Sequence, residues 1–136
     1  MALLPPRTYT VDEANAALAE VRPLVERIVA AYTDLPELQE AARVADYKSS
    51  RPAAGPDDAR SYEEAQEAMH RAELELAEDA LRLERLGVEL KDAQIGLIDF
   101  YGYRDGELVE LCWKLGEPAV EHWHRIGDGF AGRRRI

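Results

Sequence analysis

From Val11 to Leu35 the apolar residues Val11, Ala14, Leu18, Val21, Val25, Ile28, Tyr32 and Leu35 recur at alternating steps of three and four. That spacing holds one stripe on one side of an α-helix and predicts a helix lying along a partner. The residues before it, Thr10-Val11-Asp12-Glu13, form a capping box, in which a hydroxyl and a carboxylate each satisfy an amide that the first turn leaves unpaired. Pro23 falls inside the stripe and Pro36 near its end. Each removes a backbone donor and crowds the carbonyl one turn earlier, so a kink or break is expected at both. Asp34-Leu35-Pro36-Glu37 has the form of a second capping box, from which the helix would restart and run to about residue 45. Residues 46–58, with Lys48, Ser49, Ser50, Arg51, Pro52, Gly55 and Pro56, carry the punctuation of a flexible exposed loop.

Ser61-Tyr62-Glu63-Glu64 then caps a second helix running to residue 86, with a stripe of Tyr62, Ala65, Met69, Ala72, Leu76, Asp79, Leu83 and Leu86 and a stop at Gly87. Asp79 interrupts that stripe. A carboxylate at the stripe's edge reaching water or an arginine is expected there, with a buried register-setting or metal-binding acid as the alternative.

Beyond Gly87 the period changes from helical to alternating. Val88 and Leu90 point one way, Glu89 and Lys91 the other, and Asp92 to Gln94 make a turn. Residues 95–104 and 107–115 flank Asp105-Gly106, whose types suit the two positive-φ positions of a type I′ hairpin turn. A two-residue loop pairs residue 104 with 107, so each face of the hairpin can be read off. One face pairs Gly96 with Leu115, Ile98 with Trp113, Phe100 with Leu111 and Gly102 with Val109, and is expected to pack on the helices. The other pairs Leu97 with Lys114, Asp99 with Cys112, Tyr101 with Glu110 and Tyr103 with Leu108. In residues 116–136, Pro118 suits the start of a short helical turn that would put Glu121 and His124 on one side; an extended segment would instead align His122 with His124.

These elements predict one α+β domain over residues 1–136: an antiparallel helical hairpin (10–45 and 61–86) packed on a three-stranded antiparallel meander (88–115), with a short C-terminal turn or helix closing over the sheet. The 136-residue chain is 46% hydrophobic and 32% charged, within the range of folded globular proteins. Its net charge is −10, with 20 acidic against 11 basic residues up to position 95 and 7 against 6 beyond it. A field of that sign disfavours nucleic acid, and the Arg133-Arg134-Arg135 run is expected to answer the acidic helices. No stretch approaches the roughly 18 apolar residues of a membrane span. Met1 to Thr10 carries two prolines and no apolar core of a signal peptide, and Cys112 is the single cysteine, so the cytoplasm is the expected compartment.

The words GVELKD (87–92), GLIDF (96–100), LCWKLGE (111–117), WH (123–124) and GFAGR (129–133), with TVDEAN at 10–15, give the chain a resemblance to the bacterial domain-of-unknown-function family numbered 2203. It is specific over the last fifty residues and loose in the helices. The resemblance implies a small cytosolic bacterial protein and brings no established activity. Within the family pattern, Asp92, Asp99, Cys112, Trp113, Glu117, His124 and the GFAGR word match, whereas Glu67, His70 and His122 do not, the position of His122 often being aromatic.

The candidate chemistry follows. Asp99, Cys112, Glu117 and His124 combine carboxylate, thiolate and imidazole, a donor set compatible with zinc or iron. The bland alternative makes Cys112 a half-buried small hydrophobe, Asp99 and Glu117 turn caps, and His124 a hydrogen-bonded core residue. A third possibility is an organic-ligand pocket lined by Tyr101, Trp113 and Trp123. Glu67 with His70, and Glu121 with His124, repeat the Glu-x-x-His step of di-iron bundles, without the further inward glutamates such sites need. Cys112 and His124 would suit a cysteine-dependent enzyme, yet no phosphate loop, nucleophile elbow or His-Glu-x-x-His helix accompanies them. The expectation is therefore a small binding protein holding a metal ion or small ligand on the polar face of the hairpin. The alternative is a non-catalytic interaction module, a coiled-coil-like hairpin forming a homodimer through the extra apolar residues Leu24, Val29 and Leu38.

Overall fold

The computed structural model describes residues 7–136. Met1 to Pro6, part of the segment considered above as a possible signal, lie outside the described residues. Two long helices, α1 (Val11–Ser49) and α2 (Pro56–Arg85), pack antiparallel and lead into an antiparallel sheet of five strands. These are β1 (Val88–Asp92), β2 (Leu97–Arg104), β3 (Glu107–Lys114), β4 (His122–Arg125) and β5 (Arg134–Arg135), lying side by side in chain order. A 3₁₀ turn at Phe130–Gly132 joins the last two.

The Thr10 capping box forms as expected, with the Glu13 amide donating to Thr10 Oγ1 at 3.1 Å and the Thr10 amide donating to Glu13 Oε1 at 2.9 Å. Neither proline breaks α1, and no restart occurs at Asp34. At Pro23 the residues just after it explain this: Leu24, Val25 and Ile28 are fully enclosed in the core. Burying three such side chains contributes more than the roughly 3 kcal/mol that an internal proline costs.

The second helix starts earlier than Ser61. Gly55 is its N-cap, Pro56 sits where a missing N–H loses nothing, and the Gly55 amide donates to Asp58 Oδ2 at 3.0 Å. The loop expected over 46–58 is accordingly only the short link between Ser49 and Pro56. Asp79 takes the arginine option: Arg27 donates to both its oxygens, Nε at 3.1 Å and Nη2 at 3.0 Å. Leu24 belongs to the core under the sheet and Val29 packs against it. Leu24 and Val29 of the second apolar face are thus engaged within the chain.

The hairpin register agrees at every pair, including Ile98 with Trp113 and Asp99 with Cys112. Asp105 and Gly106 have φ of 52° and 79°, the two left-handed positions of a type I′ turn. Ile98, Phe100, Val109 and Trp113 form the sheet's share of the core, joined from β1 by Val88 and from β4 by Trp123. Tyr9 packs edge-on against Phe100, ring centroids 5.0 Å apart, and its hydroxyl donates to the Leu86 carbonyl. Gly102 permits the close approach of that segment, since a Cβ there would lie 2.7 Å from the Tyr9 carbonyl oxygen.

The sheet has five strands rather than three. His122–Arg125 is extended and pairs with β3, and Arg134–Arg135 pairs with β4 in turn. No helical turn forms at Pro118. The arginine run answers the tail and not the helices: Arg133 binds Glu117, Arg135 binds Glu121, and Arg134 stacks over the Trp123 ring. Among the described residues no helix is long and apolar enough to cross a membrane.

Candidate functional site

The face of the sheet turned away from the helices would ordinarily be solvated, and alternate residues of β2, β3 and β4 point there. Asp99 projects from β2, Glu110 and Cys112 from β3, and His122 and His124 from β4. Yet Asp99, Glu110, Cys112 and His124 are each no more than 3% exposed. The chain after β4 helps to cover them. Gly127, Gly129 and Phe130 close one side of a cavity of about 180 Å³ whose other walls are Lys91, Leu97, Asp99, Glu110 and His124. Gly127 and Gly129 adopt φ of 90° and 68°, left-handed conformations that suit glycine.

One donor atom from each of Asp99, Cys112 and His124 lies within 4.8 Å of the other two. His124 Nδ1 is 2.8 Å from the Arg125 carbonyl, which can only accept, so Nδ1 carries the proton and donates. Its Nε2 then faces Asp99 Oδ1 at 3.1 Å and Oδ2 at 3.2 Å. An imidazole lone pair and a carboxylate repel at that distance unless a proton or a cation bridges them. A histidine held at one nitrogen by a backbone carbonyl and aimed with the other at a carboxylate has the orientation common among metal-bound histidines.

The electrostatics point the same way. Burial pushes the Cys112 thiol from its ordinary value near 9.0 up to about 12, with the Asp99 charge adding to the effect. Burial, and then the neighbouring Asp99 carboxyl, raise Glu110 above the usual carboxylate range. Glu110 Oε2 makes no hydrogen bond; Lys91 Nζ is 3.4 Å from it but is engaged at 2.6 Å by Glu89. Two adjacent buried carboxyl groups with so little positive charge around them form a site that a cation would stabilise.

The four expected ligands do not all converge. Glu117 turns to the tail, where Arg133 Nη2 donates to both its oxygens at 2.8 and 2.9 Å and the Lys114 amide donates to Oε1 at 2.7 Å. Burial alone would raise its pKa, but Arg133 and the Lys114 amide outweigh that and hold it below the ordinary value. Arg133 also donates to His122 Nδ1 at 2.6 Å. His122 lies opposite Cys112 on the ladder. The three proposed ligand-pocket aromatics are separated by the sheet. Trp113 and Trp123 lie on the helix-facing side, whereas Tyr101 shares the outer face with Glu110. The Trp113 ring nitrogen is already committed to the Glu117 carbonyl at 3.1 Å.

The second Glu-x-x-His constellation is not assembled. Glu67 is exposed and paired with Arg71, His70 is exposed beside Glu73, and Glu121 is paired with Arg135. Among the described residues, Asp99, Cys112 and His124 form the one group of three potential ligands.

Glu110 had drawn attention only as the partner of Tyr101 on the polar face. Its importance rests on β4, which sets His124 directly opposite it, and on the tail that buries it. The register placed Glu110 and Cys112 on one face. Nothing comparable in the sequence showed that β4 would continue the sheet.

The family model described as "Uncharacterized conserved protein (DUF2203)" matches residues 7–136, and the chain belongs to that family. No curated protein and no solved structure matches the chain.

Proposed function

We propose that this DUF2203 protein is a metal-binding protein in which Asp99, Cys112 and His124 hold one zinc or ferrous ion on the outer face of the sheet. The observation that carries the reading is the buried approach of His124 Nε2 to both oxygens of Asp99 beside the only cysteine. Two ligands about 2.1 Å from a tetrahedral ion stand roughly 3.4 Å apart, close to the separation seen here. The Cys112 sulfur lies within 4.8 Å of both, so closing on the ion takes side-chain adjustment only. Mixed sulfur, nitrogen and oxygen donors favour a borderline metal over calcium or magnesium. Because the thiol is held protonated, metal uptake has to expel that proton, and affinity should rise with pH.

Protein purified without a histidine tag, stripped with chelator and titrated with cobalt(II), tests this directly. One equivalent with a thiolate-to-cobalt absorption band that vanishes in Cys112→Ser is expected. A featureless spectrum with substoichiometric metal would remove the proposal.

A second reading, self-association through the helical hairpin, draws on the exposed apolar residues Val44, Tyr47, Leu74 and Leu81. A monomer in sedimentation at micromolar concentration would end it.

A further inference from the structure

The ligand group contributes three protein donors, whereas a closed structural zinc site has four. Two of the three ligand residues, Asp99 and His124, also line the cavity beneath the tail. Glu110 lines it too, is 3% exposed, and has an Oε2 with no hydrogen bond. The cavity of about 180 Å³ has room for a small ligand. Its remaining walls are the Lys91 side chain, the Leu97 side chain, Gly127, Gly129 and the Phe130 ring.

We propose that the metal keeps one coordination position open to this cavity, and that the position takes a small exogenous oxygen-donor ligand whose own N–H or O–H is accepted by Glu110 Oε2. This rests on the metal reading above and specifies what the site is for. The three elements of the cavity divide the work. The metal takes the ligand's oxygen. The unpartnered Glu110 oxygen selects for a hydrogen-bond donor next to that oxygen, because a buried carboxylate left without one is costly. Phe130 and Leu97 bound the apolar remainder. Small hydroxamates, 2-hydroxy acids and metal-bound water all have this pattern of an oxygen donor beside a proton donor, and a neutral ether or a bulky aromatic acid does not.

Acetohydroxamate is the probe, added at millimolar concentrations to the cobalt(II)-loaded protein. We expect its saturable 1:1 binding to shift the visible d–d bands while the thiolate-to-cobalt band stays. Glu110→Gln, close in shape to the native residue and checked for folding by its thermal melt, should retain one equivalent of cobalt. It should bind the hydroxamate roughly tenfold or more weakly, the effect of one lost charge-assisted hydrogen bond. If cobalt binds and the hydroxamate leaves the spectrum of the wild-type protein unchanged, the coordination sphere is closed and this inference falls while the metal reading stands. If Glu110→Gln folds but no longer holds cobalt, Glu110 is itself the fourth ligand and the inference falls in that form. If the wild-type protein takes up no cobalt, both fall together.

Discussion

The two faces of the sheet take alternate positions of the same strands and are buried by opposite means. The inner face places Ile98, Phe100, Val109 and Trp113 against α1 and α2, and its burial is favourable in itself. The outer face buries Asp99, Glu110, Cys112 and His124, all but Cys112 lining the cavity walled by the glycine-rich tail, and the burial of such groups is unfavourable unless each is paired. A chain that needed only to fold would leave those positions to water. The inner face stabilises the molecule, and the outer face draws on that stability, which supports the proposal that the outer face is a site.

The largest effect expected from breaking this contrast is on the inner face. Phe100→Ala, at a fully enclosed position under Tyr9, should lower unfolding free energy by about 3–5 kcal/mol, measured by urea or thermal denaturation. A loss under about 1 kcal/mol would mean the helices do not depend on that face.

On the outer face the corresponding test is the pH dependence of the metal-free protein. Cys112 keeps its proton in the folded state up to about pH 12, whereas the unfolded chain releases it near 9. The folded state therefore binds more protons in that window, and stability should fall by roughly 1.4 kcal/mol per pH unit above pH 9. Cys112→Ala should remove that part of the alkaline slope. An identical slope in the variant would show that the thiol is not held as described.

The smallest effect provides the control. The Arg27–Asp79 pair has the bidentate geometry of a strong ion pair, but the Arg27 side chain is 55% exposed. Arg27→Ala should lower stability far less than Phe100→Ala, and less still in high salt. A substantially larger loss would narrow the contrast between paired charges at the surface and those under the tail.

The sequence disclosed the inner face almost completely, because a two-residue Asp-Gly turn locks the register and alternation then sorts every side chain. Asp99 and Cys112 were legible as neighbours for the same reason. The segment 122–125 was not, since Glu121 and His124 suit a helix as well as His122 and His124 suit a strand. Without β4 there was no basis for seating His124 against Asp99 and Glu110, or for setting Glu117 apart with Arg133. The helices differ from expectation for two reasons, tertiary packing in α1 and an earlier local cap in α2. Leu24, Val25 and Ile28 carry α1 through Pro23, and Pro56 with Asp58 begins α2 before Ser61.

If the outer face is a metal site, X-ray absorption at the zinc K edge of the zinc-loaded protein reads its ligands. One sulfur at about 2.3 Å is expected together with nitrogen and oxygen donors at about 2.0–2.2 Å, the sulfur disappearing in Cys112→Ser. A first shell of oxygen and nitrogen alone, unchanged by that substitution, would contradict it.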